Sequence, residues 1–310
     1  MHYQEARYDV VAMGEAMVEF NQTVAGQPQY TQGFGGDTSN AVIAASRAGA
    51  RCAYVSAVGD DAFGQLLMDL WQFAGIETTS VAIESGANTG LYFVTHGEAG
   101  HAFSYRRAGS AAARMQLNDA QRTVLQQTRW LHYSGISQAI SDTARDQCAK
   151  AVRIAQAASI KISFDSNLRL KLWSLEEATL HMIPAIASCD LFLPSLDDVT
   201  QLSGLSDPHA ILQWSHDLGA QQVVLKMGEL GVLASDGHVV HSIAPIRVKA
   251  VDATGAGDCF AGNLLARLAA GDELMNAARY ANAAAALSVQ GFGAVAALPQ
   301  PEAVRALLAA

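Results

Sequence analysis

Along most of this chain, short runs of aliphatic and aromatic residues alternate with longer amphipathic stretches, and that alternation narrows the possible folds more than any other feature. Residues 8–13, 53–58, 130–134, 161–165, 191–194 and 223–227 read as buried strands. Helices are expected over 38–48, where Gly35-Gly36-Asp37 marks the start, over 61–73, and around 142–158, 175–187 and 208–218. Apolar strands separated by helices cannot pair as hairpins. They need crossovers, so the expectation is α/β: a mostly parallel sheet with helices on both faces.

Two segments, 15–34 and 88–109, break the rhythm. In the second, Leu91, Phe93 and Thr95 alternate with Tyr92, Val94 and His96, which is a strand pattern with no room for a crossover helix. Both are expected to leave the main sheet as antiparallel excursions and build one small β lid. Phe93 and Phe103, or their neighbours, would lie on its outer face and suit a dimer contact. Such a lid is discontinuous in sequence, so residues 1–310 form one domain.

Twenty basic against 29 acidic residues leave a net charge of −9, which argues against nucleic-acid and acidic-membrane partners. A phosphate ligand remains compatible, because backbone dipoles can hold an anion inside an acidic protein. Cys52, Cys148, Cys189 and Cys259 are scattered without a C-x-x-C pair and read as reduced, buried thiols. Residues 1–7 are polar and mixed in charge, unlike a signal peptide, and no stretch is long and apolar enough to span a membrane. A cytoplasmic location is expected. No P-loop, no dinucleotide fingerprint after the first strand, no G-x-S-x-G and no H-E-x-x-H occurs. The histidines, His132 and His181 included, show no metal-ligand spacing and read as structural.

Late in the chain, Val251-Asp252-Ala253-Thr254-Gly255-Ala256-Gly257-Asp258 runs into the small-residue segment Cys259-Phe260-Ala261-Gly262. Its glycines allow a tight turn that exposes successive N–H groups, and the helix start adds positive partial charge, so the corner attracts an anion. Asp258 is itself an anion. Either it takes a proton beside a phosphate under attack, or it merely favours the helix N-terminus by about 0.3–1 kcal/mol. The local pattern alone supports both readings.

Near the other end, Gly33-Phe34-Gly35-Gly36-Asp37-Thr38-Ser39-Asn40 would let a small hydroxylated ligand approach the backbone, with Asp37 and Asn40 free to bond its hydroxyls. The plainer alternative is a helix start capped by Asp37. A third group, Asp165-Ser166-Asn167-Leu168-Arg169, follows a buried strand, whose carboxyl end faces the ligand crevice of an open α/β sheet. Arg169 there, and Arg106 and Arg107 after the lid strand at Tyr105, could grip a carboxylate with two parallel hydrogen bonds. Taken singly, a surface arginine is usually solvated.

The Gly-Gly-Asp-x-x-Asn segment, then Lys226-Met227-Gly228-Glu229-Leu230-Gly231, then the Asp252–Asp258 run, resemble in order and separation the ribokinase-like (PfkB) sugar kinases. The resemblance covers essentially the whole chain and implies a ribokinase-like three-layer sandwich. Within the family, Tyr105-Arg106-Arg107-Ala108-Gly109-Ser110-Ala111, Phe164-Asp165-Ser166-Asn167-Leu168-Arg169 and Leu172-Trp173 are most similar to the branch that phosphorylates 2-keto-3-deoxygluconate with ATP and Mg2+.

By that resemblance Asp258 would be the general base, and the amides of Gly255, Ala256 and Gly257 would hold the phosphoryl charge. Gly36, Asp37, Asn40, Tyr92 and Tyr105 would line the sugar, and Arg107 and Arg169 its acid end. Ser195, Lys226, Gly228, Gly231 and Asn282 would border ATP. Asp252 and Thr254 resemble a monovalent-cation (K+) site of some relatives. Where many relatives carry Asn-x-x-Glu, this chain reads Ser195-Leu196-Asp197-Asp198, leaving Asp198 to attract hydrated magnesium. A fructokinase is the nearest competing expectation. A sugar-binding regulator on the same scaffold is the competitor from another class, and its only support is the altered Ser195–Asp198 segment.

Overall fold

The computed structural model describes residues 6–97 and 100–309; residues 1–5, to which most of the expectation about the chain's start applies, and residues 98–99 within the expected lid lie outside the described residues. In chain order the strands are β1 (Tyr8–Met13), β2 (Met17–Gln22), β3 (Tyr30–Gly35), β4 (Cys52–Gly59), β5 (Val81–Glu84), β6 (Gly90–Gly97) and β7 (Gly100–Arg106). They continue as β8 (Thr128–Ser134), β9 (Lys161–Asp165), β10 (Leu191–Leu193), β11 (Gln222–Lys226), β12 (Val232–Ser235) and β13 (Val240–Ile243).

Nine strands form one sheet in the order β13-β12-β11-β10-β9-β8-β1-β4-β5, parallel from β11 through β5. The buried runs expected as parallel strands all occur there. The antiparallel edge hairpin β12–β13 was not anticipated, although Asp236-Gly237 between its strands is a turn dipeptide.

Helices cover both faces. Asp37–Arg47, Ala62–Phe73, Ala256–Ala269 and Leu274–Ser288 share one apolar core. Asp142–Ala157, Leu175–Ala187 and Pro208–Leu218 share the other. Small residues let the first set pack closely: a Cβ on Gly262 would stand 2.1 Å from the Ala41 carbonyl oxygen, so the helices Ala256–Ala269 and Asp37–Arg47 touch backbone to backbone.

The lid is a second sheet, β3-β2-β6-β7. Its pairs β2–β3 and β6–β7 are antiparallel as expected, but β2 and β6 join them in parallel, because each enters the lid from the body in the same direction. The register also separates two residues that the sequence grouped together. Phe93 stacks on Phe20 at 5.2 Å, and Phe20 in turn meets Phe63 of the body edge-on. Phe103 lies on the opposite face, cross-strand from Val94 and tilted against Tyr92, so the two phenylalanines do not share an outer face. Period-2 alternation fixes which residues share a face within one strand, whereas the register between strands comes from pairing.

Candidate active site

The glycine-rich corner opens the helix Ala256–Ala269. Gly255, at φ +75°, precedes its first turn, and a Cβ there would stand 2.7 Å from the Ala294 Cβ, so only glycine fits without displacement. Asp258 sits in that first turn and accepts a hydrogen bond from Asn40 Nδ2 at 2.8 Å. Asn40 belongs to the helix Asp37–Arg47, whose start at Gly36 has φ +122°. The helix contact at Gly262 and Ala41 therefore brings together residues 218 apart in sequence.

The sheet supplies the other wall. Asn167, just past β9, donates from Nδ2 to Asp37 Oδ2 at 2.9 Å. Asp165, the last residue of β9, pairs with Lys226, the last of β11, at 2.6 Å. A Cβ on Gly257 would lie 3.7 Å from Lys226 Nζ, so the ammonium stands beside the corner. Three acids and one lysine thus converge on the carboxyl ends of parallel strands. Asp37 Oδ1 and Asn40 Oδ1 are buried and make no hydrogen bond among the described residues, which leaves two acceptors for ligand hydroxyls.

Crowding sets the protonation of this cluster. Burial, with the neighbouring Asp37 and Asp165 charges, pushes Asp258 up to about 7, against the opposing pull of Asn40 and Lys226. Burial also raises Asp165, and Lys226 works against it. Below them His132 sits within 3.1 Å of Ser163 Oγ; burial pushes its imidazole down to about 4, so it is neutral and structural, as expected. The buried free cysteines also match expectation.

The lid supplies the roof. Tyr92 and Tyr105 face each other across β6 and β7 with ring centroids 5.9 Å apart. The Tyr92 hydroxyl donates to Glu19, and burial together with the Glu19 charge raises its phenol; the Asp258 charge reaches it as well. Arg107 follows β7, lies 5.9 Å from the Tyr105 ring centre, and is held by buried Glu15 through Nε at 2.7 Å. Arg169 is exposed and donates from Nη1 to the Leu168 carbonyl at 2.8 Å; among the described residues no contact joins it to Arg107.

On the other side of the corner, Ser195 caps the helix Leu196–Ser203, and Asp198 Oδ2 accepts from Ser166 Oγ at 2.7 Å and from the Leu168 amide at 3.1 Å. Gly228 has φ +56°, and Gly231, at φ +90°, presses against the Ile243 carbonyl oxygen. Asn282 donates to the Ala244 carbonyl at 3.0 Å and helps line a cavity of about 240 Å³ with Ile246 and Met275. Both Asp252 oxygens accept backbone amides, from Thr254 and from Gly293, each at 2.9 Å. No cluster of three or more His, Cys, Asp or Glu residues suited to a metal occurs among the described residues.

Sequence reasoning passed over four participants. Asp165 and Asn167 lay in a singled-out motif, but Arg169 drew the attention there. Glu15 and Glu19 were hidden because their partners are 92 and 73 residues away. The one available signal was a pair of acids flanking a strand that enters the lid.

Comparison with known proteins agrees with the geometry. The family described as pfkB family carbohydrate kinase matches residues 7–301. Probable fructokinase-7 of Arabidopsis thaliana is 33% identical, over 96% of this chain and 92% of its own length. The 2-dehydro-3-deoxygluconokinase of Thermoproteus tenax is 32% identical, over 99% of this chain and 96% of its own. An Escherichia coli structure assigned to a Ribokinase II, solved with ATP and Mg2+, superposes with a TM-score of 0.88 at 26% identity, covering 97% of this chain and 98% of that one.

Proposed function

Because this chain belongs to the pfkB family of carbohydrate kinases, we propose that its substrate is 2-keto-3-deoxygluconate, phosphorylated by ATP on the terminal hydroxyl to give the 6-phosphate and ADP. The observation that carries the choice of a sugar acid is Arg107, a guanidinium under the lid beside Tyr105 whose Nε and Nη2 are held by buried Glu15, leaving its other edge to face a ligand. A carboxylate is the ligand such a group orients best.

In this reading Asp37 and Asn40 accept sugar hydroxyls while Tyr92 and Tyr105 cover the sugar, and Arg169 adds charge at the acid end. The terminal hydroxyl then points at Asp258. Asp258 takes its proton as the oxygen attacks the γ-phosphorus, and the bond to the ADP oxygen breaks. Amides of Gly255 and Gly257, with Lys226, hold the charge of the transferring group, the main contribution a protein makes to this reaction, while the Ala256 amide, which donates to the Ala253 carbonyl at 3.2 Å, would have to turn to join them. A general base near pKa 7 suits it at neutral pH.

Magnesium usually keeps several waters and needs only one or two carboxylates. Asp198 fits that mode: it has one oxygen engaged, and its charge is felt at Asp165. There the ion would neutralise phosphate charge. With both Asp252 oxygens on backbone amides, a monovalent cation beside Thr254 would draw mainly on carbonyls. ATP would extend from the corner past Ser195, Gly228 and Gly231 toward Asn282. Phe103, 41% exposed on the lid, supports a lid-to-lid dimer as part of the same proposal.

Fructokinase is the competing reading, favoured by the near-equal identity to both kinds of relative and by the Glu15 carboxylate, which already neutralises Arg107. ADP release measured with the ketoacid, fructose and ribose discriminates between them. The ketoacid is expected to show kcat/KM at least about tenfold above fructose. Faster turnover of fructose would transfer the assignment to the ketose.

A further inference from the structure

We infer that Glu15 is a positioning residue, fixing Arg107 at the base of the lid so that the free edge of its guanidinium meets the acid end of the sugar; the orientation toward a carboxylate rests on the substrate reading above. The chain passes between body and lid four times, at residues 14–16, 36, 85–89 and 107–110, and Glu15 lies in or beside each of these crossings. It lies within the first. Its carbonyl oxygen would be 2.5 Å from a Cβ on Gly36, in the second. Its Oε1 would be 2.8 Å from a Cβ on Gly90, where the third crossing ends. In the fourth it accepts from Ser110 Oγ at 2.5 Å and from Arg107 Nε at 2.7 Å, and Arg107 Nη2 stands 2.5 Å from Oε2. The third and fourth crossings are further tied by the Ala111 amide on the Asn88 carbonyl.

The Glu15 side chain is only 1% exposed and the Arg107 side chain 12%, so neither can turn freely toward bulk water to satisfy itself. Breaking a buried ion pair from one side leaves an uncompensated charge, which holds the pair together. With Nε and Nη2 turned to Glu15, and Tyr105 5.9 Å from the guanidinium carbon, the plane of the guanidinium is set before any ligand arrives. Preorganisation of this kind sharpens orientation at modest gain in net charge, since Glu15 cancels most of the long-range field of Arg107. Glu15 touches no reacting atom. Its effect passes through Arg107.

The test is a double-mutant cycle of Glu15→Gln and Arg107→Gln on the full-length kinase, reading KM and kcat for the ketoacid and for fructose, with melting temperature in parallel. Each single variant is expected to raise KM for the ketoacid about tenfold, with kcat, KM for ATP and KM for fructose within about twofold of wild type. The double variant is expected to resemble Arg107→Gln alone. Additive effects, an unchanged ketoacid KM, or equal rises for ketoacid and fructose would each overturn the role, the last by reducing Glu15 to a general brace for the lid. If Glu15→Gln does not fold, Glu15→Asp keeps the charge but withdraws it by one methylene, and the same pattern is expected. Should the wild type accept only neutral sugars, the substrate reading fails by itself; the cycle run on the accepted sugar still decides the coupling, non-additivity supporting it and additivity refuting it.

Discussion

Asp258 carries the tension between folding and function in one side chain. Burial and the nearby Asp37 and Asp165 charges push it up to about 7, so the folded chain prefers it protonated. The sign follows directly. Stability gained from the raised pKa is full below the ordinary carboxylate range and is lost as pH rises through about 7, the same interval over which Asp258 would become competent as the proposed base. Profiles of kcat/KM for the sugar against pH are therefore expected to climb about tenfold per pH unit below 7 and then level. A limb with its midpoint in the ordinary carboxylate range would show that the crowding is relieved in solution. This residue was legible in the sequence because a carboxylate in a glycine corner conflicts with its surroundings locally. Glu15 and Asn167 were not legible: their significance lies entirely in partners brought up by the fold, Arg107 and Asp37.

Among the elements, the contact between the helices Asp37–Arg47 and Ala256–Ala269 matters most for the site. It depends on Gly262, where any side chain would meet the Ala41 backbone. Gly262→Ala is expected to cost about 1–3 kcal/mol in chemical denaturation, as overpacking does. It should also lower kcat, since Gly262 is one turn from Asp258 and Ala41 is next to Asn40. An unchanged midpoint and unchanged turnover would show that the helices can part freely. Helix and strand positions were legible across the parallel sheet from β11 to β4, where apolar runs and caps are local signals, but not at its short edge strand β5. The lid's parallel β2–β6 join and the separation of Phe93 from Phe103 were not, because alternation is silent on register.

At the scale of the whole molecule, the site exists only where three regions meet: the corner late in the chain, the early glycine-led helix, and the lid, which is entered twice. The fold class followed from the rhythm of the sequence, and the corner pointed to the chemistry proposed for it; only the assembled chain shows that Asn40 reaches Asp258 and that Glu15 lies in or beside every passage to the lid. The chain's net charge of −9 makes this gathering of amides, Lys226 and Arg107 the more telling, since the ligands expected there are anions. Removing the base while sparing the assembly tests the central claim most directly: ADP release by Asp258→Asn at saturating sugar and ATP, with sugar binding followed by calorimetry. Turnover is expected to fall by about 10²–10⁴-fold while sugar affinity changes by less than about threefold. Turnover equal to wild type would contradict Asp258 as the base and return the corner to a mere helix start.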